Sequence, residues 1–310
     1  MTKVELSQIL KTCFQLKPKD LIINELTWKC LVRSVFRSKN VMLVGHSGTA
    51  KTKTAQCIAH ALQRPFEKFN IGSTDDAQAT LIGNTTYKKE IGTLFHPSAF
   101  VKAITTPNMV ILLDELTRGS HSAWNILMPV IDSTQRYLRL DIEEKSSVIK
   151  VAEGVSFIAT CNVGNEYTST RVLDRAIARR FPIKLEMPVL NGEQLMQLFD
   201  ILFPDKNKEE SKMMKILSAI SDDLIIQCKM EDSQISTYIS SASFVEAAEL
   251  IMDGFSIEEI GEIAIYTEYP DDGGGVGERA FIKSILQKYI SKDVKSPIND
   301  PLRGKNKATF

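Results

Sequence analysis

Short apolar runs alternate with helical patterns over the first two thirds of the chain. The candidate strands are Val41–Val44, Phe66–Ile71, Met109–Leu113, Val155–Thr160 and Ile183–Met187. The first and third are continuously apolar, as is typical of parallel strands covered on both faces, whereas the second is mixed and suits a less buried position. Helical patterns such as Lys51–Leu62 and His121–Ile131 separate the strands. This alternation predicts an α/β domain over residues 38–188, with a parallel sheet and helices on both faces.

Two segments interrupt this alternation and are interpreted as insertions. Tyr137–Val151 alternates apolar and polar residues in places, which favours a hairpin before the fourth strand. Leu81–Phe95 carries two glycines and breaks a helical region. Both segments are therefore expected to add to the α/β domain without belonging to its sheet.

Outside the α/β domain the pattern is helical. Helices are predicted at Asn191–Phe203, Lys208–Met230, Ser243–Asp253, Ile257–Tyr266 and Val276–Tyr289, forming a small all-helical lid domain over residues 189–290. Residues 1–37 favour two helices. Their expected apolar contacts are Leu21, Ile22, Leu26, Leu31, Val35 and Phe36. Residues 291–310 are Lys-rich, contain two prolines and lack periodicity, so we expect a poorly ordered tail.

Composition narrows the class of protein. The chain is 43% hydrophobic and 25% charged, and 38 basic residues balance 38 acidic ones, which is typical of an ordinary soluble protein and gives no indication of nucleic-acid binding. Five widely spaced cysteines indicate neither a disulfide framework nor a zinc site. With no apolar run as long as a membrane span and no signal peptide, a cytoplasmic location is expected.

The clearest chemical motif follows the first strand. It comprises Gly45, His46, Ser47, Gly48, Thr49, Ala50, Lys51 and Thr52, and a helical pattern begins directly after it. Phosphates are bound by closely approaching backbone N–H groups, a helix N-terminus, a lysine and a hydroxyl that can hold Mg²⁺, and these residues supply all four. Lys51 would reach the β- and γ-phosphates, and Thr52 would ligate the metal. The alternative is a plain Gly/Ser/Thr turn. Ala50 departs from the general pattern, which has glycine there.

Polar residues also end two later strands. Asp114 and Glu115 close the third strand, where Asp114 could hold Mg²⁺ and Glu115 could polarise the water that attacks a γ-phosphate. Asn162 ends the fourth strand and could orient the same water, although an isolated asparagine at such a position is more often a turn residue. Because these residues follow a phosphate loop in this order, we expect them to complete an ATP site.

A cluster of arginines precedes the fifth strand: Arg171, Arg175, Arg179 and Arg180. In a ring of subunits, one of them could enter the neighbouring site as an arginine finger. The alternative for any single member is a solvated basic helix face.

The order of GHSGTAKT, ILLDE, ATCN and DRAIARRF resembles the AAA+ superfamily, and within it the MoxR/CobS-like, dynein-related branch. The resemblance covers about residues 20–290. It explains Ala50, because this branch commonly has Gly-Thr-Ala-Lys in its loop, and it places known insertions at Leu81–Phe95 and Arg136–Val151. It implies a hexameric ATPase that uses ATP and Mg²⁺ and remodels a protein partner, often a von Willebrand factor A-domain protein. It also implies Arg180, before Phe181, as the finger, with Arg179 as the alternative.

One feature departs from the family pattern. The family usually carries a sensor arginine early in a lid helix, and the matching stretch here, Ser236-Thr237-Tyr238, has tyrosine instead. Either Arg279 takes over that contact, or the lid reads the nucleotide without an arginine. The alternative interpretation of Arg279 itself is an exposed residue at the start of a helix.

Other functions stay open at this point. A nucleotide-gated binding module would hydrolyse slowly, which the Asp114-Glu115 pair disfavours. A cobalt or magnesium chelatase-type subunit is the closest alternative within the branch. A nucleic-acid motor such as a GTP-using restriction translocase is disfavoured by the zero net charge.

Overall fold

The computed structural model describes residues 3–74, 76–88, 92–140, 147–162, 174–230, 235, 237–269 and 277–293. The chain divides into two compact units, Met1–Leu190 and Asn191–Phe310.

A five-stranded parallel sheet forms the centre of the first unit. Its strands are β1 (Val41–Gly45), β2 (Phe66–Asn70), β5 (Val110–Asp114), β8 (Ser156–Asn162) and β9 (Ile183–Glu186). They lie in the order β2-β5-β8-β1-β9, and every neighbouring pair is parallel. The predicted parallel α/β sheet is thus confirmed. The mixed strand β2 lies at an edge, as its polar residues suggested.

Helices and two hairpins complete the first unit. The helices are α1 (Lys3–Thr12), α2 (Glu25–Phe36), α3 (Lys51–Ala61), α4 (Ala77–Leu81), α5 (Ala99–Thr105), α6 (His121–Ile131) and α7 (Arg175–Arg179). Two antiparallel hairpins stand apart from the sheet: β3 (Gly83–Lys88) with β4 (Gly92–Pro97), and β6 (Tyr137–Leu140) with β7 (Ser147–Lys150). Both predicted insertions are therefore hairpins. Leu81, the first residue of one predicted insertion, instead ends α4.

Alternate residues of the buried strands face two different cores. Ile111 and Leu113 of β5 pack in one cluster with Trp124 of α6, whereas Val110 and Leu112 pack in the other with Trp28 of α2. A strand covered on both faces must be apolar throughout, which is why β5 is an unbroken apolar run. The two clusters hold the sheet rigidly between helices.

The N-terminal helices belong to the core of the first unit. Leu31 and Val35 of α2 are fully buried against the sheet, together with Leu21 from the preceding loop. The apolar contact predicted for Leu26 is wrong, because its side chain is 76% exposed. It lies in the first turn of α2, on the side of the helix opposite to the buried stripe.

The second unit is helical in its described residues, as predicted. Its helices are α8 (Gly192–Leu202), α9 (Lys208–Gln227), α10 (Ser241–Met252), α11 (Ile257–Ile260) and α12 (Glu278–Asp293). The single helix predicted over Ile257–Tyr266 is wrong in detail, because a π-helical turn at Gly261–Ile265 and a 3₁₀ turn at Tyr266–Glu268 follow α11. Helix α12 continues to Asp293, past the predicted start of the tail at Ser291. The rest of that tail lies outside the described residues.

Across the described part of the chain, no helix combines the length and the apolar character needed to cross a bilayer.

Candidate nucleotide-binding site

The candidate residues meet at one edge of the sheet. Gly45, at the end of β1, is paired in register with Asn162, at the end of β8, and Asp114 ends the adjoining strand β5. Since all these strands are parallel, their carboxyl ends lie side by side, where ligands of open α/β sheets bind. The fold therefore brings together residues that are more than 100 positions apart in the sequence.

The loop between β1 and α3 has a tightly determined shape. A side chain at Gly45 would place its Cβ 2.3 Å from the carbonyl oxygen of Met187, so the first position of the loop admits only glycine. Gly48 has φ of 70° and Ala50 has φ of 56°, both in the left-handed region. An alanine there costs about 1 kcal/mol relative to a right-handed conformation. His46 is half-buried and Ser47 is exposed between these fixed points.

Lys51 is the first residue of α3 and its side chain is folded into the loop. The ammonium group donates to the carbonyl oxygens of Gly45 (2.9 Å) and His46, and lies 3.4 Å from the hydroxyl of Thr49. Burial lowers the pKa of Lys51 to about 8, an effect that Asp114 partly offsets. A buried cation at the N-terminus of a helix is suited to bind a phosphate chain.

Thr52 and Asp114 bring a hydroxyl and a carboxylate together. The hydroxyl oxygen of Thr52 lies 3.3 Å from each carboxylate oxygen of Asp114. Burial, the largest influence, would raise the pKa of Asp114, but hydrogen bonds from Lys68 and Thr160 outweigh it and hold the pKa below its ordinary value. Oxygen ligands of this kind fit Mg²⁺, which takes one or two protein oxygens and completes its shell with water and phosphate.

Thr160, on β8, links the two acidic residues. Its buried hydroxyl donates to one carboxylate oxygen of Asp114 and accepts the backbone N–H of Glu115 at 2.9 Å. The sequence interpretation missed this residue. The available signal was a hydroxyl near the carboxyl end of a mostly apolar strand, two residues before Asn162.

Glu115 takes a left-handed conformation directly after β5, with φ of 53°. Its carboxylate is 3.3 Å from the guanidinium of Arg118. A Cβ added at Gly72 would lie 2.8 Å from an oxygen of the same carboxylate. Both neighbours restrict the glutamate to one region beside Asp114. Neither Arg118 nor Gly72 was a candidate from the sequence.

The two adjacent arginines, Arg179 and Arg180, differ in exposure and in contacts. Arg179 is exposed at the end of α7. Arg180 instead donates from Nε to the carbonyl of Met128 (3.0 Å) and from Nη1 to that of Ala176 (2.8 Å), and it forms an ion pair with Asp132 at 3.3 Å. Arg175 is also exposed, and Arg171 lies outside the described residues.

Arg279 lies in the second unit, in the first turn of α12. Its Nε and Nη2 both donate to the carbonyl oxygen of Tyr269, at 3.0 and 2.8 Å. The side chain is half-buried, so it is not the exposed helix-start residue of the alternative interpretation. Tyr238 is half-buried in the same unit, and Ser236 lies outside the described residues.

Comparison with known proteins agrees with this arrangement. Residues 40–181 match the family model described as the AAA domain of the dynein-related subfamily. This segment begins just before β1 and contains the loop, both acidic residues, Asn162 and the two arginines. Residues 40–181 form an AAA domain. Such domains generally hydrolyse nucleotides and are typically oligomeric. In this chain a helical unit follows the AAA domain on its C-terminal side.

Curated relatives resemble the chain over part of their length. "Putative chaperone BssE" of Thauera aromatica is 35% identical over 144 residues, which are 46% of this chain and 48% of that protein. "Uncharacterized protein YojN" of Bacillus subtilis is 28% identical over 205 residues, 66% of this chain and 64% of that protein. A Staphylococcus saprophyticus protein, "Uncharacterized protein SSP1341", is 28% identical over 61% of this chain and 65% of its own length. The matched segments thus span from about half to just under two thirds of the length of these relatives.

Proposed function

We propose that this protein is an AAA+ motor that binds ATP with Mg²⁺, hydrolyses it to ADP and phosphate, and works as a hexameric ring that remodels a protein partner. The observation that carries the proposal is the meeting of the Thr52 hydroxyl and the Asp114 carboxylate at 3.3 Å beside the buried Lys51. A cation, a hydroxyl and a carboxylate, three groups that an ATP site would use, lie together at the start of α3 and the end of β5.

Each side chain has a defined role in the proposed reaction. Lys51 would exchange its carbonyl partners for the β- and γ-phosphate oxygens. Glu115 would accept the proton of the attacking water while the bond between the γ-phosphorus and the bridging oxygen breaks and ADP leaves. Asn162, at the same edge, would orient that water. When bound, Mg²⁺ would neutralise phosphate charge, held by Thr52 directly and by Asp114 through water.

The ring and its shared site rest on the arginines before β9. The contacts of Arg180 with Met128 and Asp132 favour a role within its own subunit. The neighbouring Arg179 is exposed, so we propose Arg179 as the side chain that enters the next subunit's site, with Arg180 as the alternative.

The proposal of a protein partner rests on similarity. A relative that is 35% identical over 144 residues is named as a chaperone, and the two hairpins match insertions of the MoxR/CobS-like branch that the motifs resemble. By that resemblance, a von Willebrand factor A-domain protein is the proposed partner. Arg279 is the proposed nucleotide sensor of the helical unit, with Tyr238 as the alternative.

Two substitutions test binding and hydrolysis separately. Lys51→Ala should abolish ATP binding, because it removes the phosphate-binding cation. Glu115→Gln should bind ATP with Mg²⁺ but turn over at least ~100-fold more slowly, the scale of a lost general base. Glu67→Gln, the same change on an exposed residue of β2, is the matched control. Normal turnover by Glu115→Gln would exclude that glutamate from the mechanism, and ATP binding by Lys51→Ala would refute the proposed phosphate site. The stalled Glu115→Gln protein can also be used to capture the partner.

A further inference from the structure

A lysine on the edge strand forms an ion pair with Asp114, the carboxylate that the proposed function assigns to Mg²⁺. Lys68 lies on β2, and its ammonium nitrogen is 2.7 Å from Oδ2 of Asp114. The sequence interpretation gave Lys68 no role, and the proposed reaction does not use it. The contact places a positive charge of the protein itself where a divalent cation is expected.

The hydrogen bonds of Asp114 leave little room for both cations. Thr160 donates to Oδ1, Lys68 contacts Oδ2, and the Thr52 hydroxyl is equally distant from both oxygens. A cation held between Thr52 and Asp114 would therefore lie close to the ammonium group of Lys68. Like charges at such separations repel each other, so the two cations compete.

The exposure of the two partners shows which one can move. The side chain of Lys68 is 44% exposed, whereas that of Asp114 is only 10% exposed. A long, flexible lysine on an edge strand can move into water at small cost. The buried aspartate cannot do so, because strand β5 and the hydrogen bond from Thr160 hold it in place.

We propose that Lys68 is the counter-ion of Asp114 in the nucleotide-free protein and that Mg²⁺ binding displaces it. Lys68 then balances the charge of Asp114 before the nucleotide arrives and sets the Mg²⁺ concentration at which the nucleotide binds. This inference rests on the proposed function, because it takes Asp114 as the magnesium residue.

The first test measures Mg²⁺ dependence through binding and needs no turnover. Binding of a fluorescent ATP analogue is followed while free Mg²⁺ is varied. In Lys68→Met, the half-saturating Mg²⁺ concentration should fall about two- to fivefold, the size of a partly exposed ion pair. Lys68→Arg, which keeps the charge, should stay near wild type.

Lys53→Met is the matched control for this titration. The side chain of Lys53 is 47% exposed, close to that of Lys68, and it also forms a 2.7 Å ion pair, with Asp20 and not with Asp114. An unchanged half-saturating concentration in Lys68→Met, or an equal fall in Lys53→Met, would overturn the inference. If the wild-type protein binds no nucleotide at all, the proposed function fails and the inference fails with it. If wild type binds and only the Lys68 effect is missing, the inference alone fails.

A second test does not depend on nucleotide. Unfolding by urea is measured in EDTA for wild type, Lys68→Met, Asp114→Asn and the double variant. Lys68→Met should shift the unfolding equilibrium constant about two- to fivefold toward the unfolded state in the wild-type background, and should shift it less in the Asp114→Asn background. Equal shifts in both backgrounds would show that Lys68 and Asp114 are not coupled, and would overturn the inference.

Discussion

Ala50 holds a backbone conformation that is unfavourable for an L-residue, with φ of 56°. Ala50→Gly should therefore stabilise the protein by about 0.5–1 kcal/mol, because glycine adopts this region without a steric cost. Ala61→Gly, at the other end of α3, should instead destabilise it by about 0.5–1 kcal/mol, since the position is helical. Urea unfolding followed by tryptophan fluorescence suits both measurements, as Trp28 and Trp124 both lie in the first unit. A loss of stability in Ala50→Gly would contradict this account of the loop.

The lowered pKa of Asp132 predicts that the stability of the protein depends on pH. Hydrogen bonds from the backbone and hydroxyl of Thr134, with a smaller contribution from Arg180, hold the pKa of Asp132 below its ordinary value. A lowered folded-state pKa stabilises the protein above the unfolded-state value of about 4, and this stabilisation is lost as the pH falls through the folded-state value.

Asp132→Ala should consequently lower the free energy of unfolding by about 1–2 kcal/mol at pH 7. The difference from wild type should shrink steadily below about pH 4. Unfolding curves at pH 7, 5, 4 and 3.5 would measure it, with the exposed Glu153→Ala as a control for loss of an acidic side chain. A difference that stays constant with pH would show that the charge of Asp132 does not contribute.

Individual site residues divide into those that local sequence reveals and those that it does not. Lys51 and Thr52 could be predicted because a strand, a glycine loop and a helix follow each other directly in the chain. Lys68 and Thr160 could not, because their roles depend on which side chain of another strand lies opposite. The partners of Thr160, for example, lie 45 and 46 positions away in the sequence.

Among the elements, strand β8 supports the site through a single hydroxyl. Thr160→Val keeps the shape of the side chain but removes the hydrogen bonds to Asp114 and to the N–H of Glu115. Leaving these groups buried and unsatisfied should cost about 1–3 kcal/mol of stability. The resulting displacement of both acidic residues should slow turnover roughly 10- to 100-fold. Thr160→Ser, which keeps the hydroxyl, should retain most of the stability and most of the turnover rate. If Thr160→Val hydrolyses ATP at the wild-type rate, the bridging role is refuted.

At the element level, burial decided what could be predicted. The strands covered on both faces, β1 and β5, were located within one residue at either end, because a continuous apolar run between two helical patterns is typical of a buried parallel strand. The helical unit was harder. Ile257–Tyr266 has helical spacing, but Gly261 lies close to Leu286 and Tyr266, and the chain changes its helical geometry there. Such a change depends on packing between helices that are distant in sequence.

For the whole molecule, the proposed ring predicts complementation between two inactive variants. Arg179→Ala should bind ATP and keep its stability but hydrolyse poorly, since a finger from a neighbour can be worth roughly 10³–10⁵ in rate. Lys51→Ala should not bind ATP but keeps its arginines. In mixed rings, some interfaces pair an intact loop with an intact finger, so activity should reappear.

The same experiment separates the two arginines. Arg180→Ala should mainly destabilise the first unit, by about 1–3 kcal/mol, because the carbonyl of Met128 and Asp132 lose their partner. If folded Arg180→Ala loses turnover while Arg179→Ala keeps it, Arg180 is the finger. If mixed rings form without regaining activity, or a monomer hydrolyses at the full rate, the shared site is refuted.

The order of strands in the sheet also affects how the protein is made. Strand β1 carries the phosphate loop and lies between β8 and β9, so Val41 pairs with Ile158 and Ile183. A ribosome adding 5–20 residues per second needs roughly 6–25 s to travel from Val41 to Ile158. For that interval an unbroken apolar strand has neither of its neighbours, and the growing chain depends on α2 and α3 to shield it. We therefore expect the proposed nucleotide site to form late in synthesis, once β8 has been added.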